Sequence, residues 1–327
     1  MNDPADYLEH RRALIEQALS RSIPDAHPVG LYEPARYVME AGGKRLRPLL
    51  VLLAAEAHGA RPEDALPAAV AVEVFHNFTL VHDDIMDHSD SRRGRPSVHV
   101  RWDEPTAILV GDLLMGVAYD HLARLSSPVL GRAFASFSRC VARLCEGQVL
   151  DMEFERRHQV SLAEYVDMIE RKTGALLACA LDLGALVGGA DEERCAQLAS
   201  AGLDIGRAFQ IQDDLLDLTA ASEDWGKPVG GDVLEGKRTY LLLNALERVG
   251  DSGLPRDLLD RVMGRSASPS DIPLVRDWME QAGVLSDTHD AVIFHTDAAL
   301  SRLAILDDSP AKAALLGLVR SMQRRVR

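Results

Sequence analysis

Val72-Glu73-Val74-Phe75-His76-Asn77-Phe78-Thr79-Leu80-Val81-His82-Asp83-Asp84-Ile85-Met86-Asp87 begins as an apolar helix and ends in three carboxylates. Val74, Phe75, Phe78, Val81, Ile85 and Met86 recur at helical spacing. On a helix, Asp83 and Asp87 lie one turn apart on one face, with Asp84 beside them. Like charges so placed repel by roughly 0.2–0.5 kcal/mol per pair, and a cation would offset this. Mg²⁺ suits the position, because it takes one or two carboxylates and completes its shell with waters and phosphate oxygens. A solvated acidic helix end would carry the same letters.

The spacing returns at Gln210-Ile211-Gln212-Asp213-Asp214-Leu215-Leu216-Asp217, behind an apolar run with Phe209 just upstream. Two acidic clusters on matched apolar helices suggest a pseudo-symmetric pair facing one cavity, holding divalent ions around a polyphosphate.

The chain has 327 residues, 47% hydrophobic and only 5% aromatic, with a formal net charge of -14. Abundant Ala and Leu favour helices over sheets. The acidic balance argues against nucleic acid or an anionic membrane as the main partner. It also makes local clusters of Lys and Arg informative. Cys140, Cys145, Cys179 and Cys195 show no CxxC spacing and read as buried thiols of a reducing cytoplasm. Met1-Asn2-Asp3-Pro4 lacks the basic and apolar regions of a signal peptide. The apolar run from Gly174 to Ala190 contains Asp182 and several small residues, so it reads as a tightly packed core helix and not as a membrane span.

In chain order, helices are expected over 5–21, 32–41, 49–57, 63–87, 105–125, 128–147, within 162–189, and over 191–218 and 241–249, with packing helices to the end. No strand alternation stands out, and 251–273 reads as a polar, turn-rich insert. The reading is one all-α domain spanning 1–327. Gly42-Gly43-Lys44-Arg45-Leu46-Arg47-Pro48 puts two glycines and three cations at a helix start, which suits an anion; a glycine cap with surface cations is the plainer alternative. Arg92, Arg93 and Arg95 sit in a turn-rich loop just after the first acidic cluster. Lys172-Thr173 enters an apolar helix. Trp225-Gly226-Lys227 to Gly236-Lys237-Arg238-Thr239 reads as a glycine-rich lid beside the second cluster.

These motifs, together with His76, Gly147-Gln148 and Phe209-Gln210, occur in the order of a known family. From about residue 40 to 245 the chain resembles the trans-isoprenyl diphosphate synthases. The resemblance implies an all-α bundle around a deep central cavity (the isoprenoid synthase fold), a homodimer and three Mg²⁺ per active site. It implies head-to-tail joining of isopentenyl diphosphate to an allylic diphosphate (dimethylallyl, geranyl or farnesyl). It places Asp83 and Asp87 on Mg²⁺ bridging the allylic diphosphate, with Asp84 beside them. Asp213 would hold the third ion, helped by Asp214 and Asp217. Arg92, Lys172, Lys227 and Lys237 would contact the allylic diphosphate. Lys44, Arg47, His76 and Arg93 would hold isopentenyl diphosphate, and Thr173 and Gln210 would lie near the developing cation.

Pocket depth would set product length. Phe78 lies five residues before Asp83, about 7.5 Å along a helix, and would form a floor, with Phe75 nearly one turn deeper and the small Thr79 beside them. The uninterrupted Asp-Asp-x-x-Asp spacing and Phe78-Thr79 resemble geranylgeranyl diphosphate synthases, with a farnesyl product as the alternative. Terpene cyclisation and a non-catalytic synthase subunit are the other classes weighed. A cyclase would carry an Asn/Ser/Glu motif in second place and no second diphosphate pocket, and a subunit would lack an acidic cluster. Tyr240-Leu241 and Gly231 depart from the family's lid. Arg324, Arg325 and Arg327 read as a solvated basic tail.

Overall fold

A computed structural model describes residues 4–157, 159–220, 229–248 and 255–323. Among these, helices carry the chain, and the one strand pair is two residues long on each side: Ser91–Arg92 against Arg95–Pro96. The all-α expectation holds. Trp225-Gly226-Lys227 of the expected lid, and Arg324, Arg325 and Arg327 of the expected basic tail, lie outside the described residues.

The chain packs as two compact units. The first comprises 1–139, 179–199 and 304–317. Its spine is the Pro62–Met86 helix, where Ala65, Ala68 to Val72, Val74 and Phe75 are all at most 1% exposed. A helix buried on every side needs small residues to let its neighbours in. Gly111 of the Glu104–Leu122 helix serves this purpose, because a Cβ there would collide with the His82 ring. Gly184 does the same against the Leu46–Ala57 helix, where its Cβ would meet Ala54 Cβ at 2.7 Å. The small residues of the apolar run are thus close-packing sites. Asp182, its one acid, accepts a hydrogen bond from Ser136 Oγ, and burial raises its pKa.

The second unit comprises 140–178, 200–303 and 318–327. Here Gly202 and Gly206 of the Glu192–Thr219 helix lie against the backbone of Ala178 and Gly174, too close for any side chain. Leu215, Leu218, Leu241, Leu242, Leu259, Val262 and Met279 form one apolar cluster, and Phe154, Tyr165, Ile169, Ile211 and Leu243 another. Each fully buried side chain of this size contributes about 1.5–3 kcal/mol. The segment 251–273, expected to be an insert, supplies Leu258, Leu259 and Val262 to that core from the Arg256–Met263 helix.

Helix ends follow local chemistry. Ser161 and Glu164 form a reciprocal cap on the Leu162–Ile169 helix, and Asp103 accepts from Thr106 N at 2.7 Å. Several boundaries differ from the sequence expectation by a few residues, the Val29–Met39 and Glu104–Leu122 helices among them, and two differences are informative. The Leu46–Ala57 helix starts three residues early, because Pro48 falls in its first turn, where a missing N–H costs nothing. The Ser127–Phe154 helix runs past Gly147 instead of ending there. Gly147 is a packing glycine: a Cβ on it would lie 2.8 Å from Lys172 Cα.

Candidate active site

In the first unit the acidic cluster ends the Pro62–Met86 helix, and Asp87 is its C-cap, donating its N–H to Asp83 O at 2.8 Å. Asp83 is half-buried and Asp87 exposed, one turn apart. Asp84 points elsewhere. It is 4% exposed and accepts from Arg92 Nε at 2.8 Å and Nη2 at 2.5 Å. Burial raises its pKa, against the pull of Arg92. Asp84, expected among the metal carboxylates, and Arg92, expected on a diphosphate, are engaged with each other here.

The residues expected to hold an anion come from distant segments. Gly42 (φ +73°) and Gly43 (φ +147°) turn the chain in conformations that side chains rarely adopt. Arg93, at φ +53° in the tip of the hairpin, reaches back to donate to Gly42 O. A Cβ on Gly43 would press on the Arg93 guanidinium at 3.2 Å. Arg47 Nη1 lies 3.0 Å from His76 Nε2. Burial, then the positive charges of Arg47 and Arg93, holds His76 well below its ordinary pKa, so it is neutral there and can donate one ring N–H. Arg47, His76 and Arg93 therefore come together. Arg45, the middle cation of the motif, does not join them. It is 3% exposed and bonds Glu16 at 2.7 Å and Glu73 at 2.8 Å.

Phe78 is half-buried and stacks on Phe75 at 5.4 Å. Phe75 is fully buried against Phe137. Thr79 is buried, its hydroxyl donating to His76 O at 2.8 Å.

In the second unit, Lys172, Thr173, Gln210, Asp213, Asp214, Asp217 and Lys237 line one cavity of about 210 Å³, together with Asp151, Tyr165, Asp232 and Arg238. A single π turn, Glu170–Gly174, presents Lys172 and Thr173. Such turns are uncommon and concentrate at functional sites. Lys172 Nζ donates to Asp151 at 2.5 Å, and Thr173 Oγ1 donates to Gln210 Oε1 at 3.1 Å. Gln210 Nε2 continues to Asp214 at 3.3 Å. Asp214 also accepts from the Tyr165 hydroxyl and from Tyr240 N at 2.9 Å. It is 5% exposed, and burial, then the Asp232 charge, pushes its pKa up to about 8. Asp217 accepts from Asp232 N at 3.0 Å. Lys237 faces Glu235 at 3.2 Å and Asp232 at 3.6 Å. Burial works against its charge, but these acids raise its pKa overall.

The sequence reading missed Asp151, Tyr165 and Asp232, although all three line this cavity. Asp151 follows Gly147-Gln148, and Asp232 follows Gly230-Gly231. Asp232 stands inside the quoted lid stretch and Asp151 just after a quoted pair, and both are legible as partners for the nearby lysines.

The donor set fits Mg²⁺. Burial, then the neighbouring Asp217 carboxylate, pushes Asp232 up to about 6, with Glu235 and Asp213 adding to it. That crowding of hard oxygen donors is what a divalent cation relieves. Among the described residues no three acidic or soft side chains are gathered into a finished metal cage. Mg²⁺ needs none, since it keeps waters and borrows phosphate oxygens.

Gly147 gives a first test of this geometry. Gly147→Ala should push the Lys172 turn away from the cavity and lower kcat about 10²-fold, by analogy with other displacements of about 1 Å. Steady-state kinetics with a circular dichroism control would check it; unchanged kcat would show that the turn tolerates the shift.

The polyprenyl synthetase family model matches residues 28–273, running through both units. A geranylgeranyl diphosphate synthase of Methanosarcina mazei is 41% identical over 322 residues, 98% of this chain and 97% of that one. A geranylfarnesyl diphosphate synthase of Natronomonas pharaonis is 38% identical, covering 95% of this chain and 96% of that one. The crystal structure of geranylgeranyl pyrophosphate synthetase from Pyrococcus horikoshii superimposes with a TM-score of 0.90 at 36% identity, over 98% of this chain and 97% of that one. The ordered motifs, the all-α fold and these matches agree, and the chain belongs to the polyprenyl synthetase family.

Proposed function

We propose that this chain is a magnesium-dependent trans-prenyltransferase that joins isopentenyl diphosphate head-to-tail to an allylic diphosphate and makes geranylgeranyl diphosphate. The observation that carries this reading is the second unit's cavity, where Lys172 and Lys237 meet Asp213 and Asp217 beside the Thr173–Gln210 pair. Cations and metal-binding carboxylates in one pocket serve a polyphosphate.

In this reading Asp83, Asp87, Asp213 and Asp217 would hold the Mg²⁺ ions, three by family expectation, and Asp84 and Asp214 would orient their neighbours. Magnesium, when bound, supplies the Lewis acidity that lets diphosphate depart. Lys172, Lys237, Lys227 and Arg92 take up the charge that the leaving group gains. The oxygens of Thr173 and Gln210 face the allylic cation. Lys44, Arg47, His76 and Arg93 hold isopentenyl diphosphate so that its double bond attacks that cation. The departed diphosphate accepts the proton lost afterwards.

The archaeal geranylgeranyl diphosphate synthases among the relatives support this product length. Of the two rings, Phe78 keeps exposed surface and Phe75 backs it, so Phe78 is the proposed floor. Phe78→Ala should lengthen the product by at least one isoprene unit, read by mass spectrometry. An unchanged product would place the floor elsewhere.

The chain is further read as a single synthase domain, a homodimer and a cytoplasmic protein. Ile108 and Leu109, 42% and 57% exposed on the Glu104–Leu122 helix, support the dimer. Four free thiols support a reducing compartment. Among the described residues no helix is long and apolar enough to cross a membrane.

Incubating the chain with isopentenyl diphosphate, each allylic starter and Mg²⁺ tests the function. Geranylgeranyl diphosphate and free diphosphate are expected. A cyclic hydrocarbon, or no chain growth from any starter, would overturn it.

A further inference from the structure

Two guanidinium groups flank the Tyr37 ring: Arg95 Cζ lies 3.8 Å and Arg101 Cζ 4.3 Å from its centroid. Trp102 meets the same ring edge-on at 5.2 Å. The Tyr37 hydroxyl donates to Pro96 O at 2.8 Å, and Arg95 Nη1 donates to Tyr37 O at 3.3 Å. Tyr37 is 8% exposed and Arg95 half-buried, so that stack is partly shielded from water, where cation–π attraction is strongest, while Arg101 is exposed.

What they hold is the hairpin. Arg95 pairs with Arg92 across the two strands, and Pro96 pairs with Ser91. Tyr37 therefore grips the return strand through its ring, its hydroxyl and its carbonyl. The tip carries Arg93 and Gly94, both at positive φ. Arg92 has an anchor of its own, the buried Asp84 carboxylate. Arg93 at the tip leans on the neutral Gly42 carbonyl and, at 3.5 Å, on Asn77 Oδ1. Loosening the return strand would displace Arg93 more than Arg92.

We propose that Tyr37 is a positioning residue for isopentenyl diphosphate, acting through the Arg95–Pro96 strand to set the Arg93 guanidinium beside Arg47 and His76. The proposal rests on the reading of Arg93 as an isopentenyl diphosphate ligand. Tyr37→Leu removes ring and hydroxyl together. It should raise KM for isopentenyl diphosphate about 10-fold while KM for geranyl diphosphate stays within about 2-fold. Tyr37→Phe keeps the ring between the two guanidiniums and should recover most of the loss, staying within about 3-fold of the native KM.

The decisive readout is the double variant. If Tyr37 acts through Arg93, Tyr37→Leu adds less than about 2-fold to the KM of Arg93→Ala, because the group it positions is gone. A merely structural Tyr37 would multiply the two losses, and that result overturns the proposal. So does an unchanged isopentenyl diphosphate KM in Tyr37→Leu while Arg93→Ala raises it. If Arg93→Ala itself leaves that KM unchanged, the assignment of the cradle fails instead, and the two failures are distinguishable. Should Tyr37→Leu not fold, Arg101→Gln, at an exposed residue, carries the test. It should raise isopentenyl diphosphate KM about 3-fold, and no change would overturn the clamp.

Discussion

Asp213→Ala should lower turnover by about 10³-fold or more and leave the helical fold intact. Within its triplet, Asp214 is buried among three donors and Asp217 accepts from the Asp232 amide. Asp213 lines the same cavity as Lys172 and Lys237, and the proposed function gives it the third ion. It is only half-buried on the Glu192–Thr219 helix, and alanine is the best helix former, so the substitution costs little in packing or propensity. The loss should appear in kcat at saturating substrate, because the ion matters most when the leaving diphosphate gains charge. Steady-state kinetics across a magnesium series, with circular dichroism as the fold control, measure it. Native turnover in a folded Asp213→Ala would remove this residue from the metal site.

Arg45→Leu should destabilise the fold by about 3–5 kcal/mol, more than Glu73→Leu does. The Arg45 and Glu73 side chains are 1% and 3% exposed, so solvent screens neither. Removing Arg45 leaves the Glu73 carboxylate buried without its guanidinium partner. Removing Glu73 leaves Arg45 bonded to Glu16, whose side chain is 46% exposed. That asymmetry predicts the order Arg45→Leu, then Glu73→Leu, then Glu16→Leu. Urea denaturation of the three variants would measure it. Glu73→Leu ranking above Arg45→Leu, or Arg45→Leu within about 0.5 kcal/mol of native, would show the pair is not what fixes this turn. Because Arg45 caps the Leu46–Ala57 helix at positive φ between Lys44 and Arg47, its loss should also raise KM for isopentenyl diphosphate.

The contrast between these residues shows what the sequence could tell. That Asp213, Lys172 and Lys237 gather at one cavity was legible because charged side chains are rare in apolar surroundings. The different placement of Asp84 and Asp214 was legible in principle. A period of 3.6 puts the middle aspartate about 80° away from the mean direction of the other two, and the structure turns both inward. Arg45 was not legible. Its neighbours in the chain are cations, and its partners Glu16 and Glu73 lie 29 and 28 residues away. Gly147 looked like a helix end, because nothing local says that the Lys172 backbone will lie against it. Tyr37 gave no signal, since its clamp depends on Arg95 and Arg101, some 60 residues downstream.

The proposed function gives each aspartate cluster a part in binding metal with the allylic diphosphate. Counting Mn²⁺ by electron paramagnetic resonance, with an unreactive allylic thiodiphosphate present, tests this most directly. Three ions should bind to the native chain only when the thiodiphosphate is there, and both Asp83→Ala and Asp213→Ala should bind fewer. A full complement in either variant, or binding indifferent to the thiodiphosphate, would contradict it.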